Sequence, residues 1–184
     1  MLAAVQRVLR HLRRGQGGGA RPGAAAQAEA QPPVAHELAE LVPGRSLRYR
    51  DEELVVERSM TFECDTESWT EHRLSSDRAG HTRWLEVQHM RGLVVTMYER
   101  LPVGGPPPEE PTFDRDGITY ELSERGAARY RTRERAGAGK VGRVDYVEYV
   151  AGRVRLAYER FDEGRWEVSL GHLIEPRDLH LYGS

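Results

Sequence analysis

Twice along this chain, short segments that alternate apolar and polar residues follow one another in the same order. The first set is Leu47-Arg-Tyr49, Leu54-Val55-Val56, Trp69-Thr-Glu71, Arg83-Trp84-Leu85-Glu86-Val87 and Leu93-Val94-Val95-Thr-Met97-Tyr98. The second is Ile118-Thr-Tyr120-Glu-Leu122, Tyr146-Val-Glu148-Tyr149, Arg155-Leu156-Ala-Tyr158-Glu159 and Trp166-Glu-Val168-Ser-Leu170. A period of two is the signature of strands with one buried face, and nearly all these segments are too short for good helices. Breakers separate them, and Ala151-Gly152 and Asp162-Glu163-Gly164 read as tight hairpin loops. The expectation is an all-β fold: two duplicated antiparallel meanders, SH3-like or half-barrel units, packed as one barrel or sandwich. Copy one covers 43–101 and copy two 112–184, joined by the proline-rich seam 102–111. Each half alone has too little core, so the two are expected to bury their aromatic faces against each other. Two independent SH3-like barrels joined by the seam are the alternative.

Ahead of this β domain, 36–184, the chain has a different character. Residues 1–14 place Leu2, Val5, Leu9 and Leu12 at helical spacing with Arg7, Arg10, Arg13 and Arg14 largely around them, a short basic amphipathic helix. The arginines lie inside the apolar run, which is not the layout of a secretory signal. This segment is expected to touch an anionic membrane surface or a protein partner. Residues 15–35, rich in Gly, Ala, Gln and Pro, read as a disordered linker. A short helical piece from His36 to Val42 is stopped by Pro43-Gly44. No stretch approaches the roughly 20 apolar residues of a membrane span. The expected location is cytoplasmic, peripheral at the inner face of the membrane.

Charge narrows the partners. The chain carries 27 basic and 29 acidic residues, a net charge of −2. Residues 1–34 hold five arginines against Glu29, so a mildly acidic body follows a basic tail. Phosphate binding wants a basic face, and no nucleic-acid partner is expected. Cys64 is the only cysteine, which excludes an intrachain disulfide and a cysteine-based zinc site. Its acidic neighbours Glu63 and Asp65 disfavour a thiolate. His72, His81, His89, His172 and His180 show no zinc-ligand spacing. No serine sits in a nucleophile elbow, and Gly137-Ala-Gly-Lys140 lacks the spacing of a phosphate loop. No metal and no cofactor are expected.

One element stands out from plain alternation: Trp69-Thr-Glu71 and Tyr146-Val-Glu148 place a carboxylate beside an aromatic at corresponding places in the two copies. If a pseudo-twofold relates the halves, Glu71 and Glu148 converge, raise one another's proton affinity and become candidates for acid–base chemistry. The structural alternative pairs each with an arginine such as Arg73 or Arg143. Trp69, Trp84, Tyr146, Tyr149 and Tyr158 are candidates to line a ligand groove, where nearby acidic residues suit a cation; strand aromatics of this kind more often belong to the core.

The run Pro43-Gly44-x-x-Leu47-x-Tyr49, Leu54-Val55-Val56, Trp69-x-Glu71-x-x-Leu74, Trp84-Leu85-x-Val87, Gly117-x-x-Tyr120-x-Leu122 and Tyr146-x-Glu148-Tyr149 resembles the bacterial domain of unknown function 4178 family. The resemblance covers about residues 41–182 and rests on aromatic strand signatures. It implies a β fold and a bacterial setting, and it brings no established activity. The expected role is a non-enzymatic binding or adaptor domain. The alternatives are a small enzyme using Glu71 and Glu148, and a structural subunit pairing through an exposed sheet edge.

Overall fold

The computed structural model describes residues 37–182, apart from 39, 66, 77–81, 90, 91 and 103. The amphipathic segment 1–14 and the linker 15–35 lie outside the described residues. Among the described residues eleven strands form one antiparallel sheet: β1 (Ser46–Tyr49), β2 (Glu52–Cys64), β3 (Glu67–Ser76), β4 (Thr82–His89), β5 (Leu93–Arg100), β6 (Thr112–Arg115), β7 (Ile118–Glu134), β8 (Val141–Ala151), β9 (Val154–Phe161), β10 (Glu167–Ile174) and β11 (Leu179–Tyr182). Their order is β11-β1-β2-β3-β4-β5-β10-β9-β8-β7-β6, and β2 also pairs with β7. That last pairing closes β2-β3-β4-β5-β10-β9-β8-β7 into an eight-stranded barrel. The β5–β10 and β2–β7 ladders both join the first half to the second, so the halves form one ring and not two SH3-like barrels.

Each half opens in the same way. A four-residue strand turns through a two-residue loop, Arg50-Asp51 or Asp116-Gly117, into a long strand with a register shift. Asp116 and Gly117 both have positive φ, 54° and 76°, the conformation that tight hairpins select and that Asp-Gly tolerates well.

The register shifts decide which way each long strand faces. In β2 one extra residue falls between Val56 and Arg58. Val56 pairs with Leu74 on one face, whereas Met60 and Phe62 pair with Glu71 and Trp69 on the other. In β7 the shift between Leu122 and Glu124 does the same: Leu122 opposes Tyr149, but Glu124 and Gly126 oppose Glu148 and Tyr146. A one-residue slip exchanges the two faces of a strand. The even-numbered residues of both strands therefore run along the outside of the ring first and its inside afterwards.

Two of the three apolar clusters consequently lie on the outer face. The first packs Leu47, Tyr49, Leu54, Leu74, Leu85, Val95 and Leu179 with Leu38 and Leu41 from the single helical turn before β1. The second gathers Tyr120, Tyr149, Leu156, Tyr158 and Val168, with Phe113 edge-on to Tyr149 at 4.8 Å. The proline-rich seam covers it: Tyr149 donates its hydroxyl to the carbonyls of Pro108 (2.6 Å) and Glu110 (3.2 Å). A third cluster, Met60, Phe62, Ala128, Tyr130 and Val144, plugs part of the interior. Fully burying one such aliphatic side chain contributes roughly 1.5–3 kcal/mol.

Candidate functional site

Inside the ring the strands present a different chemistry. On β4, Leu85 and Val87 face the outer core, which leaves Trp84, Glu86 and Gln88 facing inward. β3 contributes Trp69 and Glu71, β5 Thr96 and Tyr98, β8 Tyr146 and Glu148, β9 Arg155, Ala157 and Glu159, β10 Ser169, and β7 Glu124. They surround a cavity of about 400 Å³. Exposed Glu67, Ser68 and His89, beside the β2–β3 and β4–β5 connections, form its rim.

The cavity stays open because its tyrosine rings lie flat against the wall. Tyr98 pairs across strands with Gly171 and Tyr146 with Gly126. A Cβ built on Gly171 would come within 2.4 Å of the Tyr98 ring, and one on Gly126 within 2.8 Å of the Tyr146 hydroxyl. Glycine at these positions gives each ring a place to lie. Trp69 stacks on Phe62 at 4.9 Å and meets the edge of Tyr146 at 5.5 Å, joining the interior plug to the cavity wall.

The carboxyl groups are the distinctive feature. Glu71 and Glu86 oppose each other across β3 and β4, and each is 8% exposed. Burial, and for Glu71 the adjacent Glu86, pushes both from 4.5 up to about 8. Glu148 is also raised, by burial first; the Arg155 guanidinium, 3.8 Å away, and a hydrogen bond from the Tyr98 hydroxyl at 3.1 Å act against this. Glu159 is raised well above the ordinary carboxylate range, again by burial first and then by Glu71 and Glu167. Trp69 donates its indole N–H to Glu71 Oε1 at 3.0 Å, and Tyr146 its hydroxyl to Glu124 at 2.6 Å. Facing carboxyls of this kind hold protons at neutral pH and release them when a positive charge arrives.

Of the sequence candidates, Glu71, Glu148, Trp69, Trp84 and Tyr146 all border the cavity. Tyr149 does not: it is fully buried in the outer cluster. Tyr158 pairs with Val147 and packs its ring against Tyr149 at 6.1 Å, so it borders the cavity only through its strand. Counted from the register shift in each half, Glu71 takes part in the third pair and Glu148 in the first; the partner position of Glu71 is held by Tyr146. The two aromatic–glutamate elements are thus offset by one inward-facing position, and the immediate neighbour of Glu71 is Glu86. The arginine beside Glu148 is Arg155, whereas Arg73 bridges Glu57 and Arg143 bridges Asp145.

His72 faces away from the cavity, its Nδ1 2.9 Å from Ser59 Oγ, and burial lowers it from 6.5 to about 4. Burial raises the Cys64 thiol, with Glu124, Glu67 and Asp65 acting in the same direction. Among the described residues no group of three or more His, Cys, Asp or Glu could hold a metal ion, and no helix is long and apolar enough to cross a membrane. Glu86, Glu159, Arg155 and Tyr98 escaped the sequence reading. The available signal was the division of β4 into a Leu85/Val87 face and a Trp84/Glu86 face.

The chain matches the family described as Domain of unknown function (DUF4178) over residues 42–176. It belongs to that family. The DUF4178 match falls within the β domain and confirms the resemblance carried by the strand signatures. Relatives include the uncharacterized proteins Rv2597 of Mycobacterium tuberculosis and Mb2628 of Mycobacterium bovis. Each is 32% identical over 154 residues, covering 78% of this chain and 72% of the relative. No solved structure matches the chain.

Proposed function

We propose that this DUF4178 chain is a binding protein whose site is the lumen of its barrel, occupied by one small organic molecule. The observation that carries the reading is the open cavity of about 400 Å³, with indole and phenol rings on its wall and buried hydrogen-bonding groups among them. Ligand sites are typically concave, roughly 300–1,000 Å³, largely apolar and fitted with a few placed polar groups. Eight strands enclose an interior wide enough for side chains or for one small ligand, and here the side chains leave room.

The test uses N-phenyl-1-naphthylamine, a neutral fluorescent probe, with the full chain and with Ala157→Trp, which projects a bulky group into the lumen. Saturable binding to the parent and its loss in the variant, at unchanged far-UV circular dichroism, is the expected result. Absence of binding, or equal binding by both proteins, sinks the reading. A second reading draws on Glu71 and Glu86, since carboxyls titrating near neutrality suit proton transfer. It requires a bound compound to be recovered chemically altered, whereas a binding protein returns its ligand unchanged.

A further inference from the structure

The lumen holds more negative than positive chemistry. Its guanidinium, Arg155, is 5% exposed and already engaged: it lies beside Glu148 and donates through one terminal nitrogen to the carbonyls of Gly152 and Val154. Two carboxylates keep open acceptor capacity. Glu71 is more than nine-tenths buried, and only its Oε1 accepts a hydrogen bond among the described residues. Glu159 borders the same cavity with a carboxylate in the field of Glu71 and Glu167, opposed by Arg100. An anionic ligand would oppose ionisation of these carboxyls, and a neutral one would leave them in their protonated form. A positively charged ligand stabilises the ionised form, and the indole faces of Trp69 and Trp84 suit the apolar groups around such a charge.

We propose that the lumen takes up a small organic ammonium compound in exchange for a proton shared by Glu71 and Glu86. This rests on the lumen being the binding site, and it adds the ligand class and the linkage to pH. The exchange balances: one fixed positive charge enters, one proton leaves a carboxyl for the buffer, and the charge of the lumen is unchanged.

The groups that face the Glu71–Glu86 pair determine how freely that proton leaves. Tyr98 comes from β5, Glu124 from β7, Tyr146 and Glu148 from β8, and Arg155 and Glu159 from β9. Three further arginines of the ring strands are paired elsewhere: Arg58 with Glu134 at 2.6 Å, Arg73 with Glu57 at 3.5 Å, and Arg100 with Glu167. Among the residues that border the cavity the carboxyls outnumber Arg155, and His89 stands at the exposed rim. With both carboxyls at about 8, the pair is mostly protonated at neutral pH and ionises above it.

Titration calorimetry of the full chain with benzyltrimethylammonium tests this, because that probe carries a charge that does not titrate. At about pH 7, heats measured in phosphate and in Tris should differ by the release of about one proton, and affinity should rise about tenfold from about pH 7 to pH 9. Benzyl alcohol and benzoate, matched in ring size, should bind at least about tenfold more weakly than the cation. Glu71→Gln should reduce both proton release and affinity for the cation. Glu159→Gln provides a second variant should the first fail to fold. Cation binding with equal heats in both buffers and no pH dependence overturns the exchange and leaves the lumen site standing. Tighter binding of benzyl alcohol or benzoate overturns the ligand class alone. If no benzyl compound binds while the naphthylamine probe does, the cation proposal fails by itself; if neither binds, the lumen site fails with it.

Discussion

Replacing Glu86 with glutamine should make the barrel more stable at alkaline pH and leave it nearly unchanged in mild acid. Glutamine keeps the size and hydrogen-bonding capacity of the protonated carboxyl and has no proton to lose. In the native protein Glu86 is 8% exposed and titrates at about 8, against 4.5 when exposed. Between these values the folded chain holds a proton that the unfolded chain has released. A raised carboxyl therefore contributes stability that is fully present below about pH 4.5 and is lost as pH rises through about 8. At about 1.4 kcal/mol for each tenfold change in proton affinity, Glu86 alone accounts for at most about 5 kcal/mol of that loss. The effect should be smaller. Glu71 and Glu86 share part of their mutual repulsion, and an open cavity is more polarisable than a dry interior; about 2–4 kcal/mol is the working figure.

Urea unfolding followed by tryptophan emission at about pH 5, 7 and 9 measures the difference. With a urea slope of about 1–3 kcal/mol/M, a 2–4 kcal/mol effect moves the midpoint by about 0.7–4 M. The Glu86→Gln midpoint should lie above the parent's at pH 9 and fall within experimental scatter of it at pH 5. Glu53→Gln, at an exposed position, serves as the control and should follow the parent throughout. Parallel curves for Glu86→Gln and parent, or a variant less stable at pH 9, would refute the assignment of a buried, proton-holding pair.

Three further expectations concern residues on either side of the barrel wall. His72 is buried and lowered to about 4, so its contribution is present above about 6.5 and lost as pH falls through about 4; His72→Leu should flatten that acid limb by about 2–3 kcal/mol in the same unfolding series. Tyr149→Phe removes the hydroxyl that holds the proline-rich seam to the outer core and should cost about 1–3 kcal/mol, with faster proteolysis near Pro108, read by limited digestion. Gly171→Ala forces the Tyr98 ring off the wall and toward the lumen, since a Cβ there would lie 2.4 Å from it; naphthylamine binding should fall by about tenfold or more, with a stability loss of about 1–3 kcal/mol.

Strand identity was legible in the sequence because alternation is a local property. Leu47–Tyr49, Trp69–Glu71, Arg83–Val87 and Leu93–Tyr98 all fall within β1, β3, β4 and β5, and the proline-rich run does separate β5 from β6. Barrel closure was not legible in the same way, since it depends on Arg58–Glu63 finding Arg129–Glu134 some 70 residues away. Nor was the inward face of the long strands. Leu54, Val56, Met60 and Phe62 all fall on even positions and look like one apolar stripe interrupted at Arg58. The extra residue before Arg58 sends the first two outward and the last two inward. The same slip in β7 separates Tyr120 and Leu122 from Ala128 and Tyr130, and it brings Glu124 opposite Glu148. A pattern with a period of two carries no mark of a bulge that exchanges its faces.

Those two bulges also explain how a small barrel tolerates so acidic an interior. Small eight-stranded barrels commonly fill their interiors with side chains. Here much of the apolar burial lies outside the ring: β1, β11 and the turn at Glu37–Leu38 cover β3–β5, while β6 and the seam cover β8–β10. Before each bulge, β2 and β7 contribute to these outer layers; after it, they contribute Met60, Phe62, Ala128 and Tyr130 as a plug in one part of the lumen. The rest of the lumen is then not required as core. Glu71, Glu86, Glu148 and Glu159 can remain there because the surrounding fold is stabilised elsewhere, because burial favours the protonated forms of Glu71 and Glu86, and because Arg155 lies beside Glu148. A residue set that raises its own proton affinity and adds nothing to the apolar core is the feature on which the proposed lumen site rests.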